Sequence, residues 1–538
     1  MIHRLEIAMT APDTRAFVLC KRLVSDGFKV RGIVLTDVYT IDKTYTKKQF
    51  EQIASLLTNP ITQKSDFMHP LAPERFLWAI EIGFLPGVTD NISSTAKEMI
   101  EDLLQVPFSS GEGIYTSRVL YIDGPLRDSD VQRLTESMYN PLIQRVQIKN
   151  YKEFKKDNGM GKEMPRVVLK KTTHVLKVNL NVSDEELGKI GKLGVLDRDG
   201  MRRGPLALDI RYMKAIQAYF RKLGRSPTDV ELESIAQTWS EHCKHTIFAS
   251  PIDGIPKGLF RTFIKGATEK IRNTKGYKDV CVSVFTDNSG AIEFDDTYLI
   301  THKVETHNSP SALDPFGGSV TGIVGVNRDA MGFGLGAKPV MNMYGFCLTN
   351  PDDSAKLYRL PGRMGSMLSP RRIFDGVVSG VNAGGNCSGI PTPQGFLFFD
   401  GRYKGKPLVF VGTVGLLPKT IHGKKSYVKK AKVGDLIVVV GGRVGLDGIH
   451  GATFSSEALH AGSPAGAVQI GDPITQKKMS DVLIKEARDM NLYHSITDNG
   501  AGGLSCSVAE MAKESGGCFV ELSKVPLKYP GLAPWQIW

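Results

Sequence analysis

Along the first 150 residues, short runs of alternating or continuous apolar positions trade places with stretches in which apolar residues recur every three or four positions. The runs predict strands at 4–9, 29–35, 76–82 and 114–122, and the longer period predicts helices at 13–26, 47–57, 91–104 and 129–139. Turn chemistry at Leu85-Pro-Gly87 and Asp123-Gly-Pro125 punctuates the second set. The order β-α-β-α therefore occurs twice, which predicts a duplicated domain over residues 1–180. No cluster of His, Asp and Glu suited to catalysis lies in it, so its expected role is assembly.

Residues 181–248 read as a helical domain. Ile210, Met213, Ile216, Phe220 and Leu223 draw one apolar stripe. A second helix opens at Ser226-Pro-Thr-Asp229, with Ser226 as the expected cap, and runs into Ser240-Glu-His-Cys-Lys-His245. From 249 to 418 the pattern turns strand-rich and glycine-dense, with strands predicted at 282–285, 298–304, 397–400 and 408–414. Residues 419–538 alternate strand and helix: a strand at 435–440, a glycine-rich loop at 441–451, a helix at 477–491 and a strand-turn-helix at 494–504. The whole predicts a mixed α/β, α+β multidomain fold of four parts.

Composition narrows the class. Of 538 residues, 41% are hydrophobic and 23% charged, which excludes wholesale disorder. The seven cysteines contain no C-x-x-C pair, as expected of reduced thiols in the cytoplasm. The longest apolar runs, at 436–440 and 408–411, fall far short of the ~20 residues a bilayer requires, so no membrane is expected. The net charge of +12 is concentrated at 145–177 and in the six lysines of 419–432. Neither run has zinc-ligand spacing or the aromatic pattern of an RNA-binding sheet. They read as solvated faces or linkers, and no nucleic-acid partner is expected.

The chemistry concentrates in Lys303-Val-Glu-Thr-His-Asn-Ser-Pro-Ser311, followed by Gly317-Gly-Ser-Val-Thr-Gly322 and Asn327-Arg-Asp329. On a strand Lys303 and Glu305 share a face, and His307 continues it. That face offers a cation for phosphate, a hard oxygen ligand for Mg²⁺ and a proton carrier, with Asp329 as a second ligand and the glycines as a turn. The loops at 441–451 and 498–503 offer backbone N–H groups that could approach phosphate, as could any glycine turn.

Seven motifs in order, Trp239-Ser-Glu-His-Cys243, Lys303-Val-Glu-Thr-His-Asn308, Arg328-Asp329, Gly336-Ala-Lys-Pro339, Asp447-Gly-Ile-His-Gly-Ala-Thr-Phe454, Gln469-Ile-Gly-Asp-Pro473 and Asp498-Asn-Gly-Ala-Gly-Gly503, resemble those of the phosphoribosylformylglycinamidine synthases of purine biosynthesis. The resemblance covers nearly the whole chain. It implies a fused small-subunit-like domain, a linker domain and two domains of the aminoimidazole ribonucleotide synthetase type. It also implies an ATP-dependent ligase that phosphorylates the amide oxygen of formylglycinamide ribonucleotide before ammonia displaces the phosphate.

Carried over by position, the resemblance implies catalytic roles for His242 and His307 and ATP contacts for His245 and Lys303. It implies magnesium ligands at Glu305, Asp329 and Asp498, and substrate contacts at Thr306, His307, Asn308, Ser309, Arg328 and Gln469. Many members have a second histidine where this chain has Ser309, whose hydroxyl can both donate and accept. The family pattern continues beyond Trp538 into a Ser-Glu-Ser-Gln segment and a second copy of the two-domain unit. The expected partners are therefore a C-terminal synthetase half and a glutaminase subunit that supplies ammonia. Two other readings stand beside this one: a non-catalytic nucleotide-binding or assembly half, and another ATP-dependent enzyme of the same superfamily.

Overall fold

The computed structural model describes residues 2–109, 111–169, 174–197, 200–239, 246–354, 368–454 and 468–538. These form two compact units, divided at residue 170.

In the first unit, β1 (Ile2–Met9), α1 (Thr14–Ser25), β2 (Gly32–Asp42), α2 (Lys47–Leu57) and β3 (Gln63–Asp66) are followed by β4 (Trp78–Phe84), α3 (Asn91–Leu104), β5 (Gly113–Asp123), α4 (Asp128–Glu136), β6 (Gln144–Asn150) and the short α5 (Tyr151–Lys156). The strands make one antiparallel sheet in the order β3-β1-β2-β5-β4-β6. That order is its own mirror across the β2–β5 pair, as a duplication requires. Leu5 faces Tyr39 in the first half, and Ile80 faces Leu120 at the same place in the second. The predicted pair of β-α-β-α repeats is thus present. Each repeat adds a third strand that the pattern missed, because β3 and β6 are polar edge strands with no buried residue. Part of the basic run at 145–177 is therefore a sheet edge.

Alternation decides the faces of this sheet. Leu35, Ile41, Leu120 and Ile122 pack under the four longer helices, whereas Val38, Val119 and Tyr121 pack with Phe76, Phe154 and Met160 on the other side. On that second face the equivalent carboxylates Glu6 and Glu81 are both buried. Arg4 resolves their repulsion, giving two guanidinium nitrogens to Glu81 at 3.1 Å and Nε to Glu6 at 2.8 Å.

The second unit opens with α6 (Asp184–Leu193), α7 (Ile210–Lys222) and α8 (Asp229–Trp239) around a core that includes Leu187, Met213, Ile216, Phe220 and Leu232. Ile210 and Leu223, at the ends of the predicted stripe, are exposed. The cap of α8 is Thr228 rather than Ser226. Its hydroxyl accepts the Glu231 N–H at 3.2 Å, and Glu231 returns a bond to the Thr228 N–H at 2.8 Å, a reciprocal box that Ser226 has no partner to make.

After α9 (Thr246–Ala249) and α10 (Gly266–Lys275) comes a six-stranded sheet built from β7 (Cys281–Ser283), β8 (Gly290–Glu293), β9 (Tyr298–Thr306), β10 (Lys338–Leu348), β11 (Gln394–Phe399) and β12 (Leu408–Pro418), in the order β11-β10-β12-β9-β8-β7. The short α11 (Asn308–Leu313), then α12 (Pro315–Gly332) and α13 (Pro370–Ser388), belong to the same domain. The predicted glycine turn at 317–322 is instead the interior of α12. Its glycines serve close approach. A Cβ at Gly317 would lie 2.3 Å from Ile470 Cδ1, and one at Gly318 would lie 2.5 Å from the Ser311 nitrogen. On the facing helix, a Cβ at Gly380 would lie 2.0 Å from Ser319 Oγ and 2.4 Å from the Phe316 carbonyl. Packing at that distance outweighs the helix-weakening tendency of glycine.

A small hairpin, β13 (Thr420–Ile421) with β14 (Lys424–Lys425), leads to α14 (Gly451–Phe454), α15 (Pro473–Val482), α16 (Gly503–Ser515) and α17 (Pro534–Ile537). The strands predicted at 435–440 and 494–498 do not form. Apolar alternation makes a strand only where a neighbour satisfies its backbone, and here Leu436 and Val438 stand 89% and 75% exposed. The helix predicted at 477–491 starts earlier, at Pro473 behind its Asp472 cap, and passes into a wider π-type turn at Leu483–Ala487. The aromatic segment near residue 538 has cover: Trp535 stacks on His450 at 5.8 Å and under the Arg203 guanidinium at 4.7 Å. Among the described residues no helix is long and apolar enough to cross a membrane.

The glycine contact predicts that Gly380→Ala lowers stability by about 1–3 kcal/mol in chemical denaturation, the usual cost of overpacking. Gly401→Ala, where an added Cβ meets nothing within 4 Å, should change it by less than about 0.5 kcal/mol.

Candidate active site

Two elements carry most of the predicted residues. The strand β9 presents Lys303 and Glu305 on one face, with Lys303 Nζ 2.9 Å from Glu305 Oε1. The helix α12 runs back beside it and carries Arg328 and Asp329 near its end, with Asp329 Oδ2 3.5 Å from the same ammonium. Below them, Asn327 is fully buried. Its side-chain oxygen accepts from Asn342 at 2.7 Å and from Thr413 at 3.0 Å, and Thr413 is the register partner of Lys303 on β12. This amide network holds the end of the helix over the strand.

Asp498 arrives from the loop before α16. It accepts from Asn288 Nδ2 at 3.0 Å and pairs with Arg328 Nε at 3.6 Å. That Arg328 nitrogen is buried and makes no hydrogen bond among the described residues. Burial, then the negative charge of Asp498, pushes the Asp329 carboxyl up to about 7. Burial opposes the Lys303 ammonium, but Asp329 and then Glu305 outweigh it and raise its pKa. The pocket therefore holds three carboxylates against one ammonium and one guanidinium.

No group of three or more His, Cys, Asp or Glu among the described residues stands close enough to hold a metal as placed. Lys303 lies between two of the three acids. The three acids are hard-oxygen donors of the kind magnesium takes, and as placed Lys303 rather than a metal pairs with Glu305 and Asp329.

His307 lies past the end of β9, at the start of α11, so it leaves the strand face predicted for it. Its Nδ1 bonds to the Gly318 carbonyl. A carbonyl only accepts, so Nδ1 carries the proton, and in the neutral ring Nε2 has the lone pair. Asn308 is engaged structurally, its oxygen accepting the Val409 N–H at 2.9 Å. Thr306 is exposed beside it, but Ser309 is buried in α11 at 2% exposure. Gln469 reaches the site through its backbone: Thr321 Oγ1 lies 2.7 Å from its carbonyl and accepts the Gly471 N–H at 2.7 Å. His242 and His245 lie outside the described residues; α8 runs to Trp239, the first residue of their motif.

The reading of the sequence missed Asp287, Asn288, Asn327, Asn342, Thr413 and Lys429. Asn327 sits inside a quoted motif and Asp287-Asn288 in a turn, whereas Lys429 had no signal apart from the lysines around it.

Comparison with known proteins places this geometry in a class. Residues 286–417 match the N-terminal domain, and residues 432–538 the C-terminal domain, of AIR synthase related proteins. Residues 198–245 match the formylglycinamide ribonucleotide amidotransferase linker domain. The β9–α12 site thus belongs to an AIR synthase-related pair of domains preceded by that linker.

The chain is similar to phosphoribosylformylglycinamidine synthase subunits PurL. It is 36% identical to the Thermoplasma acidophilum subunit over 341 residues, 63% of this chain and 41% of the relative. It is 32% identical to the Thermotoga maritima subunit over 332 residues, 61% and 46% of the two chains. A solved structure described as T. maritima PurL complexed with FGAR is 30% identical, with a TM-score of 0.45 over 60% of this chain and 46% of that one. The chain spans less than half the length of these relatives.

The buried start of α12 allows a pH test. Asp314 caps it, accepting the Gly317 N–H at 3.0 Å, while burial pushes its carboxyl up to about 6. The folded state then binds this proton more tightly than the unfolded chain, so stability is lost as pH rises from about 4 to 6 and stays lost above. Asp314→Asn keeps the cap and removes the charge. Its stability relative to the native chain should grow by roughly 2 kcal/mol between pH 4 and pH 7 in paired denaturation curves.

Proposed function

We propose that this chain builds the amide-activating site of a phosphoribosylformylglycinamidine synthase. The reaction takes formylglycinamide ribonucleotide, ATP and ammonia to formylglycinamidine ribonucleotide, ADP and phosphate. The observation that carries the proposal is the convergence on α12 of a lone-pair-bearing His307 at one end and the Lys303, Arg328, Asp329 and Asp498 cluster at the other. Transfer of the γ-phosphoryl group to the amide oxygen needs positioning and charge neutralisation above all. Lys303 would pair with ATP phosphates, and the buried Arg328 nitrogen offers a donor to the phosphate of the nucleotide substrate.

Glu305, Asp329 and Asp498 would hold magnesium, which when bound neutralises the transferring phosphoryl group. Ammonia attack on the activated carbon must shed protons, and His307 Nε2 is the acceptor. The Thr306 side chain and Gln469 would contact substrate, and His242 and His245 would join from the linker. Ammonia would come from a glutaminase partner, and a C-terminal synthetase half would complete the assembly in the cytoplasm.

His307→Ala should lower phosphate release by about 10²-fold or more. The measurement is made with formylglycinamide ribonucleotide, ATP, Mg²⁺ and ammonium, with a C-terminal half supplied. Full turnover by that variant would remove His307 from the mechanism. Tight nucleotide binding without any turnover in the complemented native complex would instead favour a non-catalytic assembly half.

A further inference from the structure

We propose that Lys429, a member of the lysine run at 419–432, is a positioning residue that sets Asp498 beside Asp329. Its ammonium is largely buried and uses all three of its donors. Nζ lies 2.7 Å from Asp287 Oδ1, 2.6 Å from the Gly332 carbonyl and 2.9 Å from the Ile496 carbonyl. Those acceptors come from three separate segments, and each adjoins the site. Gly332 ends α12 three residues after Asp329. Ile496 precedes Asp498 by two. Asp287 precedes Asn288, whose amide donates to Asp498 Oδ1.

Asp287 is spent on both oxygens, since its Oδ2 also accepts the Gly334 N–H at 3.0 Å just past the same helix end. The junction is tight: a Cβ at Gly332 would lie 2.5 Å from Asn288 Nδ2 and 3.3 Å from the Asp498 nitrogen, so that it would push on the Asn288 amide. A cation at the carbonyl end of α12 is also favoured by the helix dipole.

The negative charge of Asp498 acts on the Asp329 carboxyl, and that repulsion opposes holding the Asp498 loop in this place. Lys429 touches neither. It fixes the backbone on which each is mounted, and Asn288 then sets the Asp498 oxygen. The clamp thus deepens the proposed function by explaining how the acid pair is held before a divalent cation arrives, and the metal part of its test rests on that reading.

The test uses the full chain. Lys429→Met alone strands the buried Asp287 carboxylate, so Lys429→Met/Asp287→Asn keeps the charge balance, with Asn288→Ala as a separate cut at the last link. Hydrogen exchange of the ligand-free protein should speed up at residues 494–499 by tenfold or more in the double variant, with β12 unchanged. Binding of Mn²⁺ with ATP, read by the loss of the free Mn²⁺ spin-resonance signal, should weaken by tenfold or more in the double variant and several-fold in Asn288→Ala.

Unchanged exchange at 494–499 overturns the clamp. Faster exchange with native Mn²⁺ affinity overturns the positioning role and leaves Lys429 a purely structural residue. If the native chain binds no Mn²⁺ with ATP, the amide-activating reading of the site fails, and hydrogen exchange alone decides the clamp.

Discussion

The close packing of α12 is the constraint on which the second unit depends. The helix is buried along most of its length between the sheet and α13, and glycines on both helices bring backbones within reach of each other. An 18-residue helix spans ~27 Å, so one rigid rod carries the His307 contact near its start and Arg328 and Asp329 near its end. The 469–476 segment is also fastened to it, through Thr321 and through Gln476, whose amide donates to the Val324 carbonyl at 2.7 Å.

Rigidity of this kind has an electrostatic purpose. Three carboxylates share a partly buried pocket with one lysine and one arginine, an arrangement that would relax if its supports were soft. The supports are buried amides and a buried lysine: Asn327 with Asn342 and Thr413 under the helix end, and Lys429 with Asp287 and Asn288 behind Asp498. Each replaces the water that would otherwise let the acids drift apart. The first unit solves a related problem differently. Duplication places Glu6 and Glu81 on the same sheet face, and a single Arg4 bridges both.

Legibility followed local physics. The helices at 47–57 and 91–104 were readable to the residue because a capping Thr46 or Asp90 and an amphipathic stripe agree. The polar edge strands β3 and β6 carried no such stripe. The glycine-dense 317–322 segment misled because glycine in a sequence signals a turn, yet here it marks contact between helices. The apolar 435–440 segment misled in the opposite sense: it has the composition of a strand without a neighbour to pair with.

The sequence by itself determined the duplication of the first unit, the helical linker and the candidates Lys303, Glu305, His307 and Asp329, because period and residue type are local properties; Arg328 and Asp498 became candidates only through the family resemblance. Only the tertiary structure decided that Lys303 sits between Glu305 and Asp329, that Ser309 turns inward and that His307 bonds through Nδ1 to the Gly318 carbonyl. It alone singled out Lys429 from five neighbouring lysines in its run. Those are facts about distance between segments far apart in the chain, and distance is set by packing, which no local pattern encodes.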